Sequence, residues 1–121
     1  MPQTQAQISF QASKMTAPLR QLTSDYGDVL GMLSAHEKLH LLAILAMWQG
    51  RDTELSESSG DSPEAYALEA YTLEDAISDY PFQLWGDVLG ALECLEGIEV
   101  EQVLDLMVAI SSQIRDGVYQ K

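Results

Sequence analysis

His36, Glu37 and His40 are the residues of this 121-residue chain whose types and spacing could carry chemistry. Two histidines four positions apart lie on one face of a helix, where both can hold a zinc ion. A glutamate beside the first can then take a proton from the zinc-bound water. In that reading His36 and His40 are metal ligands and Glu37 is the general base. A third protein ligand is required, and the acids that follow, Glu57, Asp61 and Glu64, stand in no pattern that singles one out. The same stretch has a purely structural reading. Ser34-Ala35-His36-Glu37 fits a capping box, in which the glutamate turns back to a backbone N–H and a helix begins.

The run His36-Glu37-Lys38-Leu39-His40 resembles the zinc-binding signature of the zincin metallopeptidases, over five residues of the chain. The resemblance implies a small zinc hydrolase with His36 and His40 as ligands and Glu37 as base. It also implies a sheet whose edge strand holds the substrate, and no period-two run bounded by turn residues is found beyond Gln7 to Phe10. Lys38 stands where the family usually carries an uncharged residue. The zinc peptidase is therefore the alternative reading of the chain, and the leading one needs neither metal nor cofactor. Glycines 27, 31, 86 and 90 lie inside helical patterns without a P-loop lysine, no twelve-residue calcium loop is present, and Cys94 has no histidine in its half of the chain. Cys94 is expected to be an inert helix residue.

The elements that would position these residues are helices. Thr16-Ala17-Pro18 predicts a helix start, followed by apolar residues at Leu19, Leu22, Tyr26, Val29, Leu30 and Leu33, spaced for one helical face. A second helix is predicted from Ser34 to about Gln49, stopped by Gly50, and its apolar run from Leu39 to Trp48 marks it as the most buried element. Arg51 to Ser62 reads as a polar loop. Pro63 restarts a helix, or two short ones interrupted near Thr72, up to Asp79, and Tyr80-Pro81 breaks the chain. Phe82, Trp85, Val88, Leu89, Leu92 and Leu95 trace the next helix, ended by Gly97. Val100, Val103, Leu104, Met107, Ile110 and Ile114 trace the last, from about Glu99 to Arg115. The expected fold is all-α, a compact bundle of five or six helices: a flexible N-terminal arm at residues 1–15 and a single helical domain at 16–121.

Tyr26-Gly27-Asp28-Val29-Leu30-Gly31-Met32-Leu33 recurs fifty-nine residues later as Trp85-Gly86-Asp87-Val88-Leu89-Gly90-Ala91-Leu92. This predicts two related helix-pair halves, 19–50 and 81–116, joined by the acidic loop and helix at 51–80. The two GDVLG segments are expected in equivalent places, crossing where their glycines let backbones approach.

Net charge is −13, with no Lys or Arg between Arg51 and Arg115 and fifteen acids from Asp52 to Asp105. Such a field repels phosphate backbones and anionic lipid, so direct nucleic-acid binding and membrane association are not expected. The longest apolar run is far below the roughly 20 residues of a membrane helix. The first eleven residues read as neither a signal nor a transit peptide, and the single cysteine fits a reducing, cytoplasmic setting. The leading function is a non-catalytic protein–protein interaction module, an adaptor, assembly factor or regulator. Its partner would be a basic or disordered protein, or a second copy forming a homodimer. The interaction residues are sought in the acidic aromatic stretch, at Glu64, Tyr66, Tyr71, Glu74, Asp75, Asp79 and Tyr80. An acidic nucleic-acid mimic that inhibits a DNA- or RNA-binding enzyme is a further alternative.

Overall fold

The computed structural model describes residues 16–58, 70–84 and 86–120. They form five helices and no strand: α1 Ala17–Tyr26, α2 Ala35–Ser58, α3 Leu73–Asp79, α4 Gly86–Cys94 and α5 Val100–Arg115. The all-α expectation holds. The N-terminal arm, the Gln7–Phe10 segment, Glu64 and Tyr66 lie outside the described residues. The chain divides into two compact units, Met1–Leu42 with Leu84–Lys121, and Ala43–Gln83.

In the first unit, α1 starts as the sequence predicts, with Thr16 extended at the N-cap and proline in the first turn. It ends at Tyr26, seven residues before Leu33. Gly27 takes a positive φ of 96° and its N–H returns to Thr23 O at 2.8 Å. Leu30 follows at φ 52°, and a turn is closed by Leu30 N–H to Gly27 O and Leu33 N–H to Leu30 O, both 3.0 Å. Leu30 and Leu33 are still buried, delivered to the core by this turn and not by a helix face. They join Leu19 and Leu22 of α1, Leu41 of α2, Val88 and Leu92 of α4, and Val103, Leu106 and Ile110 of α5 among the buried residues.

The expected repeat is corrected by the same turn. Gly27 to Gly31 is not helical, whereas Gly86 to Gly90 opens α4, so the two GDVLG segments do not adopt equivalent structures. Glycine serves a C-terminal stop in one copy and tolerates a helical first turn in the other. A glycine-mediated close approach does occur between α1 and α4, with a side chain in place of the second backbone. A Cβ placed on Gly90 would overlap the Tyr26 hydroxyl while meeting the ring carbon that bears it at an ordinary 3.6 Å. Alanine in a helix gains about 1 kcal/mol over glycine. Gly90→Ala is therefore expected to stabilise the Tyr26→Phe protein by about that amount, and to give less or even destabilise in the wild type. Equal effects in both backgrounds, measured by denaturant unfolding, would rule out the contact.

α2 runs 24 residues, through Gly50 to Ser58. Gly50 does not stop it, and Arg51 to Ser58 is helix where a loop was expected. Three interactions on the far side of Gly50 offset the cost of a mid-helix glycine, about 1 kcal/mol. Arg51 and Glu54 form an exposed ion pair at 2.7 Å, Asp52 accepts the Tyr71 N–H at 3.0 Å, and Ser58 Oγ donates to Leu55 O. Nor is α2 buried all round, since Leu39 is 51% exposed and Ala43 and Ala46 are exposed as well.

In the second unit, Ile44, Leu45 and Ala76 are buried. Trp48 and Asp52, one turn apart on α2, hold the backbone of Tyr71 from both sides. The indole Nε1 donates to Tyr71 O at 3.1 Å and the Asp52 carboxylate accepts from Tyr71 N. α3 then starts on a capping box: the Asp75 N–H donates to Thr72 Oγ1 at 3.1 Å, and the Thr72 N–H donates to Asp75 Oδ2 at 3.0 Å. It ends at Tyr80, ahead of Pro81, as the sequence predicts.

α4 starts at Gly86, so Phe82 is not part of its face, and Phe82 is largely exposed. α5 matches its predicted span to within a residue.

Candidate interaction surface

Glu37 is committed to the start of α2. Its Oε1 accepts the Ser34 N–H at 2.8 Å, while Ser34 Oγ lies 3.4 Å from the Glu37 N–H, so the two arms of the capping box are both formed. His36 is exposed, its Nδ1 lying 3.1 Å from Ser34 Oγ. His40 is half-buried one turn on, the two rings edge to face with centroids 6.4 Å apart. Among the described residues no group of three or more His, Cys, Asp or Glu is placed to hold a metal ion. The geometry therefore brings Glu37 to a backbone N–H, and among the described residues no third ligand stands beside the histidines; Asp61 and Glu64 lie outside them.

Lys38, between them in sequence, is the unexpected residue of this motif. It is fully buried, and its ammonium donates to Val29 O at 2.9 Å, to Gln113 Oε1 at 2.9 Å and to Val118 O. All three protons meet uncharged oxygens, and burial lowers its pKa to about 8. The amine joins the turn after α1, helix α5 and the segment that follows α5. That segment is held further by Val118 N–H to Gln113 O at 2.8 Å and Gln120 N–H to Leu33 O at 2.9 Å. Lys38 is a cross-brace of the first unit.

Of the acidic aromatic stretch, Tyr71, Asp75 and Asp79 are bonded within their own unit. The Tyr71 hydroxyl donates to Asp79 Oδ2 at 2.7 Å, and Asp75 serves the cap of α3. Tyr80 packs edge to face on Phe82 with centroids 5.7 Å apart, and Glu74 is exposed. The hydrogen bond to Asp79, with burial, pushes the Tyr71 hydroxyl pKa up to about 12. Asp79→Asn is expected to bring Tyr71 ionisation down towards its ordinary value of 10.0, followed on the Tyr71 ring resonances in a pH titration. An unmoved titration would mean that this hydrogen bond is not made.

The Cys94 thiol donates to Asp25 Oδ2 at 3.5 Å, and burial with this carboxylate pushes its pKa up to about 11. A thiol so held ionises less readily than a free one.

The surface that sequence reasoning missed is on α5. Val103, Leu106, Ala109 and Ile110 face the core, but Val100, Leu104 and Val108 are 55%, 50% and 48% exposed. They are spaced by four, so they form one stripe along the outside of the helix. The stripe runs into an open groove of about 560 Å³ lined by Leu42 of α2 and by Met107, Val108, Ser111, Ser112 and Arg115 of α5. Leu39, one turn before Leu42, is also half exposed. Glu99 and Glu101 are exposed beside Val100, Asp105 is half-buried next to Leu104, and Arg115 stands at the opposite end with its Nε bonded to Asp116 at 3.1 Å. The missed signal is arithmetic: α5 carries apolar residues at 100, 103, 104, 106, 107, 108, 110 and 114, a wider arc than one core face consumes.

No helix among the described residues is long and apolar enough to cross a membrane. No family model, curated protein or solved structure matches the chain.

Proposed function

We propose that this protein is a non-catalytic interaction module that binds another protein through the outer face of α5 and the groove beside Leu42. The observation that carries the reading is the regular exposure of Val100, Leu104 and Val108. Scattered apolar residues on a surface need no explanation, but a helical stripe continuous with a groove marks a surface that gains by being covered. The acidic balance of the chain favours a partner with basic residues. The motif at His36 does not compete for this role, since Glu37 caps a helix and Lys38 braces the core.

The test is comparative capture from extract of the host, with wild-type chain and with Leu104→Asp/Val108→Asp. Specific proteins retained by the wild type and lost by the variant are the expected result. Identical sets of captured proteins would refute the assignment of this face.

A further inference from the structure

We infer that the occupant of the α5 face is an amphipathic helix running antiparallel to α5, with lysine or arginine in its C-terminal half. This inference rests on the interaction reading above and adds the partner's chemistry and direction. Val100 to Val108 span about 12 Å of helix, and the face extends to about 22 Å at Arg115. A partner of some four turns, with apolar residues at spacings of three and four, matches that length and fits the groove at Leu42 and Met107.

The two ends of the face differ in charge, one acidic and the other neutral. Glu99, Glu101 and Asp105 surround the Val100 end, and no Lys or Arg occurs in the sequence between Arg51 and Arg115 to neutralise them. At the other end Arg115 is already paired with Asp116 through its Nε at 3.1 Å, so that end carries no unmatched charge. A partner helix complementary to this face must therefore place its cations at the Val100 end. Isolated helices favour acids in their first turn and bases in their last, where each offsets the helix dipole. The partner's C-terminus therefore lies at the N-terminus of α5, which also sets the two helix dipoles antiparallel.

The experiment uses the full chain labelled for NMR and three synthetic sixteen-residue peptides that share one leucine pattern. One carries glutamate in its first turn and lysine in its last two, one carries glutamate at all these sites, and one carries glutamine. The first is expected to shift amides of Leu104, Val108 and Ser111, to bind at least tenfold tighter than the glutamine peptide, and to lose that advantage at high salt. The all-glutamate peptide is expected not to bind. A nitroxide on the first peptide's C-terminus is expected to broaden Val100 to Leu104 and not Arg115.

If the glutamine peptide binds α5 as tightly as the charged one, or broadening appears at Arg115, the charge and direction are wrong while the interaction face stands. If no peptide moves α5, both fall. A dimer in sedimentation that Leu104→Asp splits, or a Phe10→Asp change that shifts the α5 resonances, would assign the face to a second copy or to residues 1–15 and overturn the partner named here.

Discussion

Lys38→Met is expected to destabilise the protein by about 2–4 kcal/mol and to lower Tm by on the order of 10 °C. Two terms oppose each other. Burying the ammonium is costly: the drop in its pKa from 10.5 to about 8 corresponds to about 3 kcal/mol against the charged form. Methionine removes that cost and keeps much of the stem's packing. Its substitution also removes the hydrogen bonds to Val29 O, Gln113 Oε1 and Val118 O, and losing a donor to such acceptors costs about 1–3 kcal/mol each. Three lost hydrogen bonds outweigh one desolvated amine, so the balance is loss. Replacing one partner only of a buried polar set is the unfavourable case.

The pH dependence has a definite sign. With the folded pKa below the unfolded one, the unfolded chain binds more protons between about pH 8 and 10.5. The contribution of Lys38 to stability therefore rises with pH across that window, and is lost again as pH falls through 8. Cys94, with its thiol raised from 9.0 to about 11, contributes in the opposite sense as pH rises through its own window. The informative quantity is consequently the difference between wild type and Lys38→Met at each pH, which removes the Cys94 term. That difference is expected to widen from pH 8 to 10.5. A constant difference, or a variant as stable as wild type, would mean that the amine is solvated and the three hydrogen bonds are not made.

Leu104→Asp with Val108→Asp is expected to weaken partner binding at least a hundredfold, about 2.7 kcal/mol, while leaving the free chain's stability within about 0.5 kcal/mol of wild type. The combination separates this surface from the core. Both side chains are about half exposed, so an aspartate there is hydrated in the free protein. Once a partner covers them, each introduced carboxylate loses water against an apolar neighbour, and the apolar contact is lost too. Leu106→Asp, two positions from both Leu104 and Val108 and fully buried, is expected to give the reverse pattern, with unfolding as the primary defect. Loss of stability in the surface variant comparable to that of Leu106→Asp would place the stripe in the core. Calorimetry of the free proteins alongside a titration of the captured partner reads both quantities.

Much of the helical plan was legible because it depends on local chemistry. The Ser34 and Glu37 cap, the Pro18 start, the Pro81 break and the span of α5 follow from side chains that satisfy nearby backbone groups or remove them. What failed was set at a distance. Gly50 reads as a stop, yet α2 continues because Asp52 finds the Tyr71 N–H nineteen positions away. The GDVLG copies share residues and differ in backbone, since one glycine closes a helix and the other opens one. The Tyr71 hydroxyl bonds to Asp79 eight positions on, a contact with no sequence signal of its own, although Thr72-Leu73-Glu74-Asp75 carries the cap signature that shows where α3 begins.

Lys38 and the α5 stripe are the paired lesson of the candidate site. A lysine between two histidines reads as solvated, but it precedes Leu41 and Leu45 by three and seven positions on the buried face of α2. Val100 and Leu104 read as core, but α5 has more apolar positions than one buried face can hold. In both cases the periodicity was present and residue type misassigned its direction.

The proposed function requires that another protein sit on the outer face of α5. A photoreactive residue placed at position 104 of the full chain, with a second placed at exposed Ser24 on α1 as control, tests it in the host. A discrete adduct with one helical segment of a different protein is expected from position 104 and none from position 24. Adducts of equal yield from both positions, or none from position 104, would contradict it.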